Sequence, residues 1–355
     1  MMEAPSQKSV SGGDHLLIIR FSAMGDVAML APVLRILVAT YPNLKITVLT
    51  RGIFAPIFKG IPRIEIYAAD LKGKHKGIIG LNRLSKELKK LGITAVGDMH
   101  KVLRSNMLKT HFLFSKIKFL QLDKGRAEKK ALTSTKNKVF RQLKSTHQRY
   151  ADVLSGLGYP IDLGKPVFPE INAPSSEIIK LTGRKKVNWI GVAPFAAHSS
   201  KAYPTTLLAE VLQKLSAERE LIIFLFGGGA VESKKLESLA FGYENIISVV
   251  GKFPFDEELE LISNLDLMVS MDSGNAHLAA MYGVKVLTLW GVTHPYAGFA
   301  AFNQPEHHQL LADRNKYPAI PTSVYGNKFP EGYENVMETI TPETVVEKVK
   351  KMVSK

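Results

Sequence analysis

The residues of this chain best suited to chemistry fall in five short stretches. In "VSMDSGNAHLAAMYG" an apolar run stops at Asp272-Ser273-Gly274, and His277 follows about one helical turn later. A hydroxyl and backbone N–H groups at a helix start are ready donors to a phosphate, and the helix dipole adds partial positive charge there. The same residues would equally make an ordinary cap followed by a core histidine. "APFAAHSSKAYP" carries Ser199, Ser200 and Lys201 ahead of Pro204. A lysine flanked by hydroxyls neutralises a diphosphate, or else faces solvent from an ordinary loop. In "FGGGAVES", glycines around Gly228 allow close approach of a ligand, while Glu232 either accepts hydrogen bonds from ribose hydroxyls or steadies the first turn of its own helix. "RFSAMGDVAML" offers Ser22, a tight turn at Gly25, and Asp26 at a helix start, a carboxylate that is either a cap or a base facing an incoming hydroxyl. Finally "GDMHKVLRSN" places His100 and Arg104 about a turn apart, facing one edge together or tied as a surface pair.

All five stretches follow short apolar runs, and that is the pattern of a parallel α/β sheet whose strand ends deliver ligand-binding loops. The expected strands are 16–21, 45–50, 64–69, 94–99 and 116–122, with helices over 27–40 and 80–91. A second series begins at 187–194 and continues through 220–229, 246–251, 265–271 and 284–291, with helices at 206–217, 232–240, 256–264 and 275–282 between them. Thr341-Pro342 reads as a cap with proline at the first helical position. The expected organisation is a disordered tail over 1–15, a first α/β domain over 16–170, a Pro/Gly/Ser-rich linker over 171–182, and a second α/β domain over 183–340, each with ligand-accepting loops at its strand ends. A helix over 341–355 is expected to pack back on the first domain.

At 355 residues the chain is long enough for two cores. Its longest apolar runs are strand-length, far short of a spanning helix, and the N-terminus lacks the order of a signal peptide. The absence of cysteine excludes disulfides, thiol catalysis and cysteine-ligated metals. No histidine or carboxylate spacing suggests a metal, no GxxxxGK[ST] or GxSxG element is present, and nucleic-acid modules are missing. The net charge of +15 is lopsided: residues 59–149 hold 23 Lys/Arg against 6 Asp/Glu, leaving the remainder about neutral. So basic a half points to an anionic partner, whether nucleic acid, a phosphorylated lipid or an anionic membrane surface, or serves as a solubilising face.

Taken in order, "LLIIRFSAMGDVAMLAPVLRIL", "GDMHKVLRSNML", "SSKAYP", "FGGGAVE" and "MDSGNAHLAAMYGVKVLTLWGVTHP" resemble the ADP-heptose:lipopolysaccharide heptosyltransferases of glycosyltransferase family 9, from residue 16 to about 350. The resemblance implies a GT-B fold, with two Rossmann-like parallel-sheet domains facing a central cleft. It implies an inverting, metal-independent enzyme of Gram-negative bacteria, cytoplasmic or peripheral at the inner membrane's cytoplasmic face. Such an enzyme moves heptose from ADP-heptose to the lipopolysaccharide inner core as a monomer without a cofactor. By the same resemblance Asp26 is the general base. In the second, nucleotide-sugar-binding domain Lys201, Ser199 and Ser200 contact donor phosphates, Glu232 meets the adenosine ribose and Gly228 is a further donor-binding residue, while the first domain binds acceptor. Asp272, Ser273, Gly274 and His277 meet the diphosphate or sugar, and Ser22, Gly25, His100 and Arg104 lie on the acceptor side.

Two features depart from the family pattern. His294 stands in "VTHPYAGF" where an acidic or small residue is usual, and 123–150 is unusually rich in lysine. Both bear on substrate identity more than on reaction type. Two other readings stay open on the residues alone: a sugar-nucleotide epimerase of the same architecture, and a non-catalytic binder of anionic glycan or membrane surfaces.

Overall fold

The computed structural model describes residues 13–113 and 115–354. Most of the expected 1–15 tail therefore lies outside the described residues, but its last residue does not behave as tail. His15 opens the first strand, its buried ring bonded to Leu91 O at 2.9 Å and Thr47 Oγ1 at 2.8 Å.

Through the first part of the chain the elements are β1 (His15–Ile19), α1 (Met24–Thr40), β2 (Lys45–Thr50), β3 (Ile64–Ala68), α2 (Gly77–Lys89), β4 (Ala95–Asp98), α3 (Leu103–Phe112), β5 (Lys118–Gln121), α4 (Arg126–Leu132) and α5 (Thr146–Leu157). The second part adds α6 (Ser176–Thr182), β6 (Asn188–Ala193), α7 (Thr205–Ser216), β7 (Leu221–Leu225), α8 (Gly229–Ala240), β8 (Ile246–Ser248), α9 (Phe255–Ser263), β9 (Leu267–Met271), α10 (Gly274–Ala280), β10 (Lys285–Trp290), β11 (Gln309–Leu311) and α11 (Pro342–Val353).

These build two compact units. The first comprises residues up to Lys124 together with Thr146–Pro169; the second comprises Gly125–Ser145 and Glu170 onward. The first holds a sheet in the order β3-β2-β1-β4-β5, every pair parallel. Its central strand β1 is buried at every residue, as a strand covered on both faces must be, which is why "LLII" reads as an unbroken apolar run. The second unit holds six parallel strands in the order β11-β10-β9-β6-β7-β8. Its core gathers Ile190, Leu212, Ile223, Leu267, Leu287 and Val349. Because each sheet is wholly parallel, all the loops that follow its strands emerge at one edge.

Three boundaries differ from the sequence expectation. Gly125–Ser145 falls inside the expected 16–170 domain yet belongs to the second unit. There Leu132 and Leu143 pack against Ala297, and Arg314 lies 3.6 Å from the centroid of the Phe140 ring. Lys138 Nζ donates to the Ala319 and Pro321 carbonyls at 2.9 and 2.7 Å. Composition showed this stretch only as rich in lysine; it does not show that the half-buried Lys138 is a donor within the second unit's packing. The expected linker over 171–182 contains α6, whose Ile178 is fully buried and whose preceding Ser175 N–H donates to Glu260 at 2.6 Å. The terminal helix α11 packs within the second unit rather than on the first. Val345, Val346, Val349 and Met352 join that unit's core, and Lys214–Glu343 and Lys350–Glu218 ion pairs at 2.6 and 2.5 Å tie its outer face down.

Gly298 shows how closely the 125–145 segment is held. Its φ is +83°, and a Cβ there would sit 2.5 Å from the Lys144 carbonyl oxygen. Gly298→Ala is therefore expected to cost more than ~1 kcal/mol, combining left-handed strain with a clash against backbone. Limited proteolysis should then cut preferentially within 125–145; protection equal to wild type would contradict the packing described.

Candidate active site

In the first unit the chemistry gathers where β1 and β4 end. The chain leaves β1 through Arg20 and Phe21, and Asp26 is the third residue of α1. The Asp26 carboxylate is ion-paired with Arg20 and accepts a long hydrogen bond from the Ala23 N–H at 3.4 Å. Its side chain keeps 27% exposure, so it is held and reachable at once. Arg20 is buried and also donates to the Met99 carbonyl at 2.5 Å, which fixes the guanidinium between β1 and the end of β4. Tyr150 on α5, fully buried, donates to the Asp26 carbonyl at 3.2 Å. Burial holds its phenol protonated at any ordinary pH. Ser22 and Gly25 are half-buried beside this turn, as expected of a strand-to-helix connection. The helix begins at Met24, three residues earlier than periodicity suggests, so the Gly25-Asp26 pair lies inside its first turn.

His100 belongs to the same cluster. Its Nδ1 accepts from the Phe21 N–H at 3.4 Å, and its own N–H donates to Asp98 Oδ1 at 2.9 Å. Asp98 is fully buried, and its other oxygen accepts from Gln121 at 2.9 Å. Burial, reinforced by the nearby charges of Arg20, Lys124 and Arg104, lowers the His100 imidazole to about 3. It is therefore neutral in use, a hydrogen-bonding group rather than a proton carrier. Arg104, exposed in the first turn of α3, contributes to that field.

A pH dependence follows from this. The unfolded histidine titrates near ~6.5, so below that value the unfolded chain binds a proton the folded chain refuses until about pH 3. Stability must fall as pH drops through that window and recover as it rises. His294 and His308, each lowered to about 4 by burial, act with the same sign in the second unit. His100→Gln is expected to flatten the acid side of the Tm–pH curve between pH 6.5 and 4. A variant curve parallel to wild type would remove His100 as a cause.

In the second unit the expected donor residues converge at the ends of β6, β7 and β9. Lys201 and Asp272, 71 positions apart, meet with Nζ 3.3 Å from Oδ2, their side chains 11% and 9% exposed. Lys201 is thus not a solvated loop lysine. Gly326 packs on its stem: a Cβ at Gly326 would lie 2.6 Å from Lys201 Cγ. Ser200 donates its hydroxyl to the Gly326 carbonyl, whereas Ser199 is exposed. Ser273 stands at the N-cap of α10, but its hydroxyl is bonded to Ser270 at 3.0 Å and does not cap the helix. Gly274 begins α10, a helix of only seven residues, and His277 is buried within it. The Glu232 carboxylate accepts from the Gly228 N–H at 2.8 Å across the start of α8. One of its oxygens thus serves the helix, the plainer of the two sequence readings.

The glycosyltransferase family 9 (heptosyltransferase) model matches residues 81–327. The chain belongs to glycosyltransferase family 9. Within the family it is similar to lipopolysaccharide heptosyltransferase 1 of Campylobacter coli, at 28% identity over 79% of this chain and 85% of the relative. A solved glycosyltransferase family 9 protein of Veillonella parvula matches at TM-score 0.74 and 18% identity, covering 98% of this chain and 99% of that one. The E. coli heptosyltransferase WaaC, solved with ADP, matches at TM-score 0.67 and 17% identity, covering 95% and 99%. At that identity the two structures establish the fold, a GT-B-type pair of parallel α/β domains.

Sequence reasoning for this family 9 chain missed Arg20, Asp98, Tyr150 and the Gly326 loop. Arg20 did carry a signal, as the one charge closing an otherwise apolar strand. Tyr150 and Gly326 carried none, since only the fold brings them to Asp26 and Lys201.

Proposed function

We infer that the protein transfers heptose from ADP-heptose, with inversion and without a metal, to an inner-core lipopolysaccharide acceptor. The observation that carries this reading is that the family match over 81–327 spans every donor-side residue, with Lys201 and Asp272 paired at a strand-end edge. In the reaction an acceptor hydroxyl attacks the anomeric carbon from the face opposite the diphosphate. Asp26 takes the hydroxyl proton, the new C–O bond forms, and the bond from carbon to phosphate oxygen breaks. ADP departs with the charge, which the Lys201 ammonium balances as preorganised electrostatic stabilisation. Glu232 and Gly228 lie at the ribose, and His100 and Arg104 meet the acceptor's acidic groups. Among the described residues no group of three or more His, Asp or Glu is placed to hold a metal ion.

The relatives named for lipopolysaccharide and the +15 charge support an anionic glycan acceptor; in this proposal a cytoplasmic monomer touching the inner membrane handles it. No helix among the described residues is long and apolar enough to cross a membrane.

The test is turnover of ADP-heptose with core oligosaccharide in excess EDTA, read by mass spectrometry for the heptose increment and by NMR for the anomer. Donor conversion without acceptor would favour an epimerase. Glycan binding with no nucleotide-sugar binding would favour a non-catalytic protein.

A further inference from the structure

The first unit carries exposed aliphatic side chains in an unusual place. Ile53, Ile78, Ile79 and Leu103 are 60%, 71%, 81% and 76% exposed. They lie in the segments following β2, β3 and β4 respectively, and those strands are parallel members of one sheet. All four therefore emerge at a single edge, the same edge at which β1 delivers Asp26. Scattered single apolar residues on a surface need no explanation, but clustering at one edge does.

The most prominent pair, Ile78 and Ile79, sits in the first turn of α2. The inner face of that helix is spent on the core through Leu81, Leu84 and Leu88. Its outer face carries Arg83 and Lys86, and the preceding loop displays Lys72 and Lys76, all exposed. The acidic residues nearby are engaged: Asp70 accepts from the Gly73 and Lys74 N–H groups at 2.8 and 2.9 Å. Glu87 accepts from Tyr67 and bonds the buried His75 ring at 3.0 Å. His75 Nδ1 in turn accepts from the Asp70 N–H at 3.0 Å. A Cβ at Gly80 would lie 2.3 Å from the His75 carbonyl carbon, so the loop is seated directly on the helix. The buried His75, bonded to Asp70 and Glu87, thus ties down a loop whose outward side is lysine and isoleucine.

We propose that this edge of the first unit docks on an anionic phospholipid bilayer, with Ile78 and Ile79 entering the interface and Lys72, Lys76 and Arg83 meeting headgroup phosphates. Charge complementarity selects the occupant, since aliphatic side chains ringed by cations match the boundary of acyl chains and anionic headgroups. The proposal rests on the transferase reading for its purpose: an acceptor anchored in that bilayer would present its sugars toward the edge that holds Asp26. It does not rest on that reading for its test.

Flotation of the full chain with vesicles of phosphatidylglycerol and phosphatidylethanolamine should show binding, and phosphatidylcholine vesicles should not. Lys72→Glu with Lys76→Glu should weaken binding by about fivefold or more per lysine and reduce its salt sensitivity. Ile78→Ser with Ile79→Ser should weaken it at least about tenfold with Tm unchanged, since both side chains are already in water. Turnover on a water-soluble core oligosaccharide should be unaffected by the isoleucine changes, while turnover on vesicle-embedded acceptor should fall. Vesicle binding without any transferase activity would sink the function and leave the surface standing. Binding indifferent to the isoleucine pair, binding equal on neutral vesicles, or a dimer that the isoleucine changes dissolve would each overturn the surface. Retention on nucleic acid with no vesicle binding would overturn it too.

Discussion

Asp26→Asn is expected to lower turnover by about 10²–10⁴-fold while donor affinity stays within about twofold. The amide keeps the size of the side chain and an oxygen for the Ala23 N–H, but it has no basic lone pair to take the acceptor proton. Donor binding should persist because Lys201, Asp272 and Glu232 belong to the other compact unit. Isothermal titration with ADP and steady-state kinetics on the same preparation separate the two quantities. Turnover near wild type would refute the base assignment, and a lost ADP affinity would mean the substitution had disturbed more than the proton transfer.

Arg20 makes that experiment more informative. It is buried and ion-paired with Asp26, so removing the aspartate charge leaves a guanidinium without its counter-charge and held by the Met99 carbonyl. Some fall in Tm is expected for that reason alone. The expected part of Arg20 is that of a positioning residue, since it is buried, held by the Met99 carbonyl and paired with the carboxylate. Arg20→Lys should lower kcat with little change in the donor KM, because a point-charge ammonium does not reproduce a planar fork anchored at two places.

How far the sequence could be read depends on the range of the interaction concerned. The strand β2 was legible to the residue because "KITVLT" is an apolar, β-branched run buried on both faces, and α11 announced itself through Thr341, whose hydroxyl does accept from the Thr344 N–H at 3.3 Å. Both are decided by neighbours in the chain. β11 was not legible: its three residues, Gln309–Leu311, are strand only because β10 lies alongside in register with them. The same holds for the site. Asp26 and Lys201 could be singled out from residue type and loop position, yet the Arg20 partner, the 71-residue reach from Lys201 to Asp272 and the engagement of Ser273 by Ser270 are tertiary facts. Chain order misled most at 125–145, where position assigned the segment to the first domain and the segment instead lies against Ala297 and Arg314 of the second.

Lys201 and Asp272 offer the second large effect, because their pairing gives each two separable duties. Lys201→Ala would leave Asp272 buried without its cation, a loss of about 3–5 kcal/mol. For a unit of this size that corresponds to a fall in Tm on the order of 10 °C. Loss of ADP binding in the single variant would therefore be uninterpretable by itself. Lys201→Ala combined with Asp272→Ala removes both charges, and most of the lost stability should return, since an uncompensated buried charge is what made the single change so costly. ADP affinity should not return, because the positive charge proposed to balance the diphosphate is still missing. Differential scanning calorimetry and ADP titration on the two variants read the duties apart. If the double variant recovers ADP affinity along with Tm, Lys201 serves only to neutralise Asp272, and the balancing of the leaving group must be assigned elsewhere.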